Sequence, residues 1–500
     1  MTPPLRGDWR TLDQALVAAG EQFADREAYV DGDERLTFGR WLGEADAVAA
    51  ELAERGVGPG DVVLVLLPAS IDFAVLYAAL VRLGAITSAI NPRLGPRESD
   101  AITAASAPAL VVRDPALACG PALAEQPFLS RAELTALRGS AGTPPERTAN
   151  PDEIVTIVWT SGTTGTPKGA CFGHRALRAA VDTAGVMAEP FDRRLLPTPL
   201  PHAGYMTKLW EQVAWGMTLV LTPTPWTASD MLRVLHQERI TVGGGVPTQF
   251  AKLLEQDLEQ ADLSALRLVV VATAPAPPDL VAAVTERMGC PVVVRYAMTE
   301  CPSISGTAPG DAPEVLFRTV GRPQAGVEVE LVDEDGRPAP AGATGLVRVR
   351  SAGSMLGYWQ GRAAAPVGLD DGWVTSSDLG RFDDDGNLVL VGRRSEMYIR
   401  GGYNVHPLEV ENVLREHCAV AAAAVVGIPA PVIGEIGVAF VVATDPSAPP
   451  AAHELQQWCA TRLADYKKPD RVVLLPALPL TSMLKPDKEA LAERARSGAL

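Results

Sequence analysis

Positive charge is scarce in this chain: 44 Lys and Arg stand against 60 Asp and Glu, a formal net charge of −16. A nucleic-acid grip needs a basic surface to displace phosphate counterions, so that class is excluded and any anionic ligand must meet a local positive field. Cysteine is also sparse, with Cys119, Cys171, Cys290, Cys301, Cys418 and Cys459 scattered and none closely paired. That spacing excludes a disulfide framework and a zinc knuckle. Six histidines form no metal-ligand spacing and no nucleophilic triad with the cysteines or serines. Long apolar runs are missing too. The longest uncharged stretches, residues 212–229 and 418–434, are broken by Gly216, Pro223 and Pro225 and by Gly427, Pro429 and Pro431. They read as buried strands running into loops, and no membrane contact is expected. The opening MTPPLRGDWR has no basic stretch before an apolar block, which predicts no secretory signal and a cytoplasmic location.

What is present is an ordinary globular composition, 47% hydrophobic and 21% charged. Five hundred residues exceed what one hydrophobic core usually organises, so at least two domains are expected. Residues 12–52 carry apolar positions at helical spacing, stopped near Gly56 and Gly60. The continuously apolar VVLVLL at 62–67 predicts a strand buried on both faces, and the next block predicts a helix ending near Gly84 and a second short apolar segment. This alternation, repeated over 240–294, is that of a doubly wound sheet. Residues 321–345, rich in Gly, Pro and alternating valines, predict antiparallel hairpins, and DDDG at 383–386 predicts a turn. The composition changes near 393–396, and beyond it the pattern predicts helix 408–417, strands 421–426 and 438–443, and helix 452–465, enough for a small α+β lid.

The most informative segment is TIVWTSGTTGTPKGACFGH at 156–174, a strand running into a loop of glycine, hydroxyl residues and one lysine. Gly162 and Gly165 let backbone amides converge on an anion, Thr160, Ser161, Thr163, Thr164 and Thr166 add neutral donors, and Lys168 adds charge. The pattern is a polyphosphate cradle. It is not the common P-loop, because Lys168 follows Pro167 and precedes Gly169.

This loop resembles the signature of the superfamily of acyl-CoA synthetases, nonribosomal adenylation domains and firefly luciferase, adenylate-forming enzymes in which it binds the ATP phosphates. The resemblance covers about residues 12–491, with further blocks in the family's order. YAMTE, from Tyr296 through Ala297, Met298 and Thr299 to Glu300, is similar to a block written YGxTE; it implies an adenine wall at Tyr296, an α-phosphate contact at Thr299 and a Mg2+ ligand at Glu300. VATAP at 271–275 stands where the family has SGGAP, which implies a nucleotide contact at Ala274 and a pocket narrowed by Ala272 and Thr273 for a short or compact aromatic acid. His202 in TPLPHAGY matches a position at the acyl-pocket entrance. Asp378 and Arg393 match the pair that holds the ribose, and Ser377 replaces a glycine there. Lys485, in LPLTSMLKPDKEAL, matches the catalytic lysine, with Leu484 in place of a glycine and Lys488 as a rival. Acting with Thr164, Glu300 and Lys168, it would bridge the substrate carboxylate and the α-phosphate.

The resemblance implies an α/β fold: a large multi-sheet N-terminal domain over 1–393, with doubly wound α/β subdomains and a β-rich subdomain, and a small mobile α+β C-terminal lid over 394–500. It implies ATP, Mg2+ and coenzyme A as cofactors and a small, possibly aromatic, carboxylic acid as substrate. RGGYNVHPLE at 400–409 is similar to the loop lining a pantetheine tunnel, where Gly401 and Gly402 permit close approach. The tunnel serves free coenzyme A or a carrier-protein arm equally. Ala297, Ser377, Ser395 and Leu484 depart from the pattern, and the alternatives are activation of nitrite for aryl-amine diazotisation and a nucleotide-binding module without catalysis.

Overall fold

The computed structural model describes residues 2–160, 167–196, 199–223, 226–272, 278–361, 363–365, 369–481 and 485–497. Strand Val62–Leu66 is buried at every position and pairs in parallel with Ile86–Ala89 on one side and Leu110–Arg113 on the other. Ile154–Thr160 continues the parallel run beside Ile86–Ala89, and Lys168–Gly173 turns back antiparallel. Helix Ile71–Leu83 crosses between two of these strands. The Ser70 hydroxyl accepts from the Phe73 amide at its start, and Gly84, at φ 72°, ends it in the left-handed conformation that glycine adopts without strain.

A nine-stranded sheet lies alongside in the same unit. Its parallel strands run Val292–Met298, Leu268–Ala272, Val242–Gly245, Arg193–Leu196, Thr218–Leu221 and Glu27–Asp31, with Cys301–Gly306 and Glu34–Thr37 added antiparallel. Ligands of such sheets sit beyond the carboxyl ends of the parallel strands. Residues 12–52 are not one helical stretch. Helices Leu12–Gln22 and Phe38–Glu54 are separated by the hairpin Glu27–Asp31 and Glu34–Thr37, because Tyr29 and Val30 pair with Leu219 and Val220, a tertiary demand that periodicity does not reveal. Residues 212–229 also differ from expectation: Leu209–Trp215 is a buried helix before strand Thr218–Leu221.

Toward the carboxyl end, Val420–Ala430 and Gly434–Ala443 pair antiparallel, and Arg471–Leu474 lies parallel to the latter. Side chains alternate across a strand. Ala423 and Val425 therefore pack with Val410 and Leu414 of helix Pro407–Arg415, while Ala424 and Val426 pack with Leu491, Ala492 and Ala495 of helix Lys488–Ser497. Helix Ala452–Ala460 is shorter than the sequence pattern suggests, and a separate turn of 3-10 helix follows at Asp465–Lys467. The chain forms two compact units, Met1–Val329 with Val349–Val374, and Glu330–Arg348 with Thr375–Leu500. Among the described residues no helix is long and apolar enough to cross a membrane.

Candidate active site

The phosphate-loop segment is held at both ends by one antiparallel strand pair. Thr160 and Lys168 are register partners in that pair. Ser161, Gly162, Thr163, Thr164, Gly165 and Thr166 themselves lie outside the described residues. Gly169 must be small, because an added Cβ would stand 2.5 Å from Ile157 Cγ2 and 3.1 Å from the Trp159 ring. The far end is locked by charge. Glu153 accepts both Arg147 terminal nitrogens, at 3.1 and 2.8 Å, and meets His174 Nε2 at 3.0 Å. The Leu12 amide donates to His174 Nδ1 at 2.9 Å, so the ring proton sits on Nε2 and is donated to Glu153. Burial opposes ionisation of Glu153, but the His174 and Arg147 contacts outweigh it and hold its pKa down to about 2.

Lys168 is exposed, with Nζ 5.5 Å from the centre of the Tyr358 ring. The Tyr358 hydroxyl donates to Glu300 Oε1 at 2.6 Å, and the Met355 amide donates to the Glu300 carbonyl at 2.8 Å. Burial, then the Glu300 carboxylate, pushes the Tyr358 phenol up, so it remains the donor. Glu300 sits in the turn between Val292–Met298 and Cys301–Gly306, strands that close with Met298 opposite Cys301. Tyr296 is buried, Ala297 is exposed, and Met298, Thr299 and Glu300 are half-buried. His202 precedes the short helix Ala203–Met206, and its Nδ1 accepts from the Gly204 amide at 3.1 Å. Tyr77 fixes the end of that helix by donating to the Met206 carbonyl at 2.6 Å. Ala272 ends strand Leu268–Ala272, while Thr273 and Ala274 lie outside the described residues.

The other unit brings Asp378, Arg393 and Lys485 together. Asp378 and Arg393 face each other across the hairpin of Trp373–Phe382 and Leu388–Arg393, and Arg393 Nε donates to Asp378 Oδ1 at 3.0 Å. Lys485 is half-buried, and its carbonyl accepts from the Thr481 amide at 2.7 Å. Leu484 lies outside the described residues. Burial lowers the Lys485 pKa, Arg393 lowers it further, and Asp378 and Glu396 oppose them. Lys488, the rival, is committed elsewhere: it pairs with Glu396 and, at 2.8 Å, with Glu411, which also holds Arg415 and the Val425 amide. Gly401 and Gly402 turn between Tyr398–Arg400 and Tyr403–Val405 with φ of 58° and 84°. A two-residue hairpin turn with both angles positive needs glycine-like residues, so the fold alone requires this pair.

The family model described as AMP-binding enzyme matches residues 16–359, and that of its C-terminal domain matches residues 409–485. The chain belongs to the AMP-binding enzyme family. Among its relatives, the 2-succinylbenzoate–CoA ligase of Bacillus licheniformis is 32% identical, over 93% of this chain and 96% of that one. The feruloyl-CoA synthase of an Amycolatopsis species is 33% identical, over 90% and 92%. O-succinylbenzoate coenzyme A synthetase from Bacillus subtilis, solved with ATP and magnesium ion, matches with a TM-score of 0.83 and 28% identity, covering 95% of this chain and 98% of that one. This AMP-binding enzyme is accordingly an ATP- and Mg2+-dependent ligase of the acid–CoA type, working through an acyl adenylate.

The residues fit a metal carried by the nucleotide. Glu300 offers a carboxylate with one oxygen engaged by Tyr358, and among the described residues no group of three or more His, Cys, Asp or Glu could hold a cation alone. Mg2+ keeps several waters and takes phosphate oxygens readily, so one such carboxylate suits it. Tyr358, which stands between Lys168 and Glu300, is a residue the sequence reading did not single out. The only available signal was the GYW block on Gly357–Trp359, whose strand pairs Tyr358 with Ala170, two residues beyond Lys168.

Proposed function

We propose that this enzyme activates a small carboxylic acid of compact, aromatic build as its acyl adenylate, releases pyrophosphate, and passes the acyl group to the thiol of coenzyme A. The observation that carries this reading is the grouping of Lys168, Tyr358 and Glu300, which sets a cation and a carboxylate on either side of one phenol beside the loop expected to cradle phosphate. Two anions must meet when a carboxylate attacks an α-phosphate. Lys168 would hold the outer phosphates, Thr164 would add a donor, and Lys485 would offset negative charge as the phosphorus gains its fifth oxygen, a contribution of roughly 3 to 4 kcal/mol for such preorganised donors. Glu300 would hold Mg2+, which supplies charge neutralisation on the phosphates. Tyr296 would flank the adenine, Thr160 and Thr299 would donate to phosphate, and Asp378 with Arg393 would hold the ribose. Gly401 and Gly402 would border the pantetheine path, in a small domain taken to run over residues 394–500. The half-buried Lys485 in the field of Asp378 and Arg393 supports that role, and the structural engagement of Lys488 argues against the alternative.

Relatives named for 2-succinylbenzoate and ferulate support an aromatic acid. The test is a pyrophosphate-release panel of carboxylic acids and nitrite, each with and without coenzyme A, with products read by mass. Release with compact aromatic acids and an acyl-CoA mass is expected. Efficient turnover of palmitate refutes the compact pocket, and release that depends on nitrite refutes the acid.

A further inference from the structure

Glu27, Arg193 and Thr218 are the first residues of three neighbouring parallel strands, Glu27–Asp31, Arg193–Leu196 and Thr218–Leu221. With Arg26, Phe191 and Gly216 they line a cavity of about 230 Å³. It lies at the amino ends of these strands. The segment carrying His202 follows the carboxyl end of Arg193–Leu196, the side on which such sheets bind their ligands. The cavity is therefore no part of the nucleotide site.

One wall is a stacked pair. The Arg26 guanidinium lies 3.6 Å from the centre of the Phe191 ring, a contact made by the face of the fork that leaves the N–H donors on its edge free. Phe191 is fixed there. Its ring meets Phe23 edge-on at 5.6 Å, its amide donates to the Trp215 carbonyl at 2.9 Å, and its backbone stands at φ 66°, a conformation that a bulky residue adopts only under constraint. Gly216 makes the room, since an added Cβ would stand 2.9 Å from the ring.

Charge at this end is uneven. Glu27 accepts from Arg193 Nη1 at 2.5 Å, Glu238 is shared by Arg193 and Arg35 at 2.7 and 2.5 Å, and Asp192 is bound by Arg267. Arg26 is exposed, and among the described residues it enters no ion pair and its side chain makes no hydrogen bond. The lining thus holds two guanidinium groups and one carboxylate, and that carboxylate is already paired. In a chain of net charge −16 this is a local positive field.

We propose that this cavity is a second anion site that takes a small inorganic oxyanion of the phosphate class, with Arg26 as its main contact. A volume of about 230 Å³ is below that of pockets for drug-sized ligands, which excludes a nucleotide or an extended acyl chain. A planar fork pairs with two phosphate oxygens at once, and stacking on Phe191 orients it before the anion arrives. Attraction grows with the ligand's charge, so a phosphate dianion is held more firmly than a carboxylate. Pyrophosphate, which this reaction releases, and free phosphate present the same oxygens.

Calorimetric titration of the full-length enzyme with phosphate and, separately, pyrophosphate tests this, the nucleotide site being filled beforehand by a non-hydrolysable ATP analogue with excess Mg2+. One anion per chain is expected. Arg26→Leu should weaken binding about tenfold or more, the loss that follows removal of a charge-assisted hydrogen bond, with the melting temperature unchanged because Arg26 is exposed. Arg26→Lys, which keeps the charge and loses the fork, should weaken it less, and Lys168→Ala should leave it as it is. Binding of neither ion to the wild type overturns the proposal, as does wild-type affinity in Arg26→Leu. Loss in Lys168→Ala overturns it too, by assigning the ion to the phosphate loop, and acetate bound as tightly as phosphate refutes the class of ligand. Tighter binding of pyrophosphate identifies the reaction's own product as the occupant; tighter binding of phosphate identifies the free ion.

Discussion

Replacing Tyr358 with Phe deletes one hydroxyl and keeps the ring, so the 5.5 Å approach of Lys168 to the ring centre survives while the 2.6 Å bond to Glu300 is lost. A hydrogen bond to a charged acceptor contributes about 1.5 to 3 kcal/mol. Both side chains are only half-buried, which favours the low end, about 1.5 kcal/mol, or roughly tenfold. The loss should fall on the carboxylate's orientation. The Mg2+ concentration for half-maximal pyrophosphate release at saturating ATP should therefore rise about tenfold, with a matching loss in calorimetric binding of Mg2+ and a non-hydrolysable ATP analogue. The melting temperature should barely move. An unchanged Mg2+ response with a lowered melting temperature would refute the reasoning, because the bond would then serve only the fold.

Lys485→Ala should lower pyrophosphate release by about 10²- to 10³-fold while sparing acyl transfer from a synthetic adenylate to coenzyme A. Because burial and Arg393 disfavour the Lys485 ammonium, release by the wild type should decline at a pH below the ordinary lysine value. That lowered pKa also means the folded state is penalised at neutral pH and relieved as pH rises, so Lys485→Met should raise the melting temperature at pH 7. Lys488→Met leaves Glu396 without this ion-pair partner while Glu411 keeps Arg415, and should cost about 3 kcal/mol in urea unfolding, the low end for a broken buried pair. Its raised pKa puts that stability fully in place below the ordinary lysine value and loses it above. Glu153, held down at about 2, contributes stability above its unfolded pKa that is lost as pH falls toward 2, so Glu153→Gln should flatten the acid limb of the melting curve.

Sequence reading captured the doubly wound rhythm because strands buried on both faces are continuously apolar, as at Val62–Leu66, and because Gly84 punctuates the next helix. It missed the hairpin at Glu27–Thr37, whose apolar positions sit between two amphipathic helices and acquire meaning only from Leu219 and Val220. It preferred Lys485 to Lys488 on the resemblance alone, since the two lie three residues apart with the same charge. In the structure Glu396 and Glu411 form ion pairs with Lys488.

By itself the sequence determined the family and the order of the blocks that resemble it, because these depend on residue types at short spacings. Tertiary structure alone decided which carboxylate meets Tyr358 and why Gly401 and Gly402 are glycines. Each is a matter of distance between residues remote in the chain, or of water removed by packing, and neither quantity is written in a local pattern.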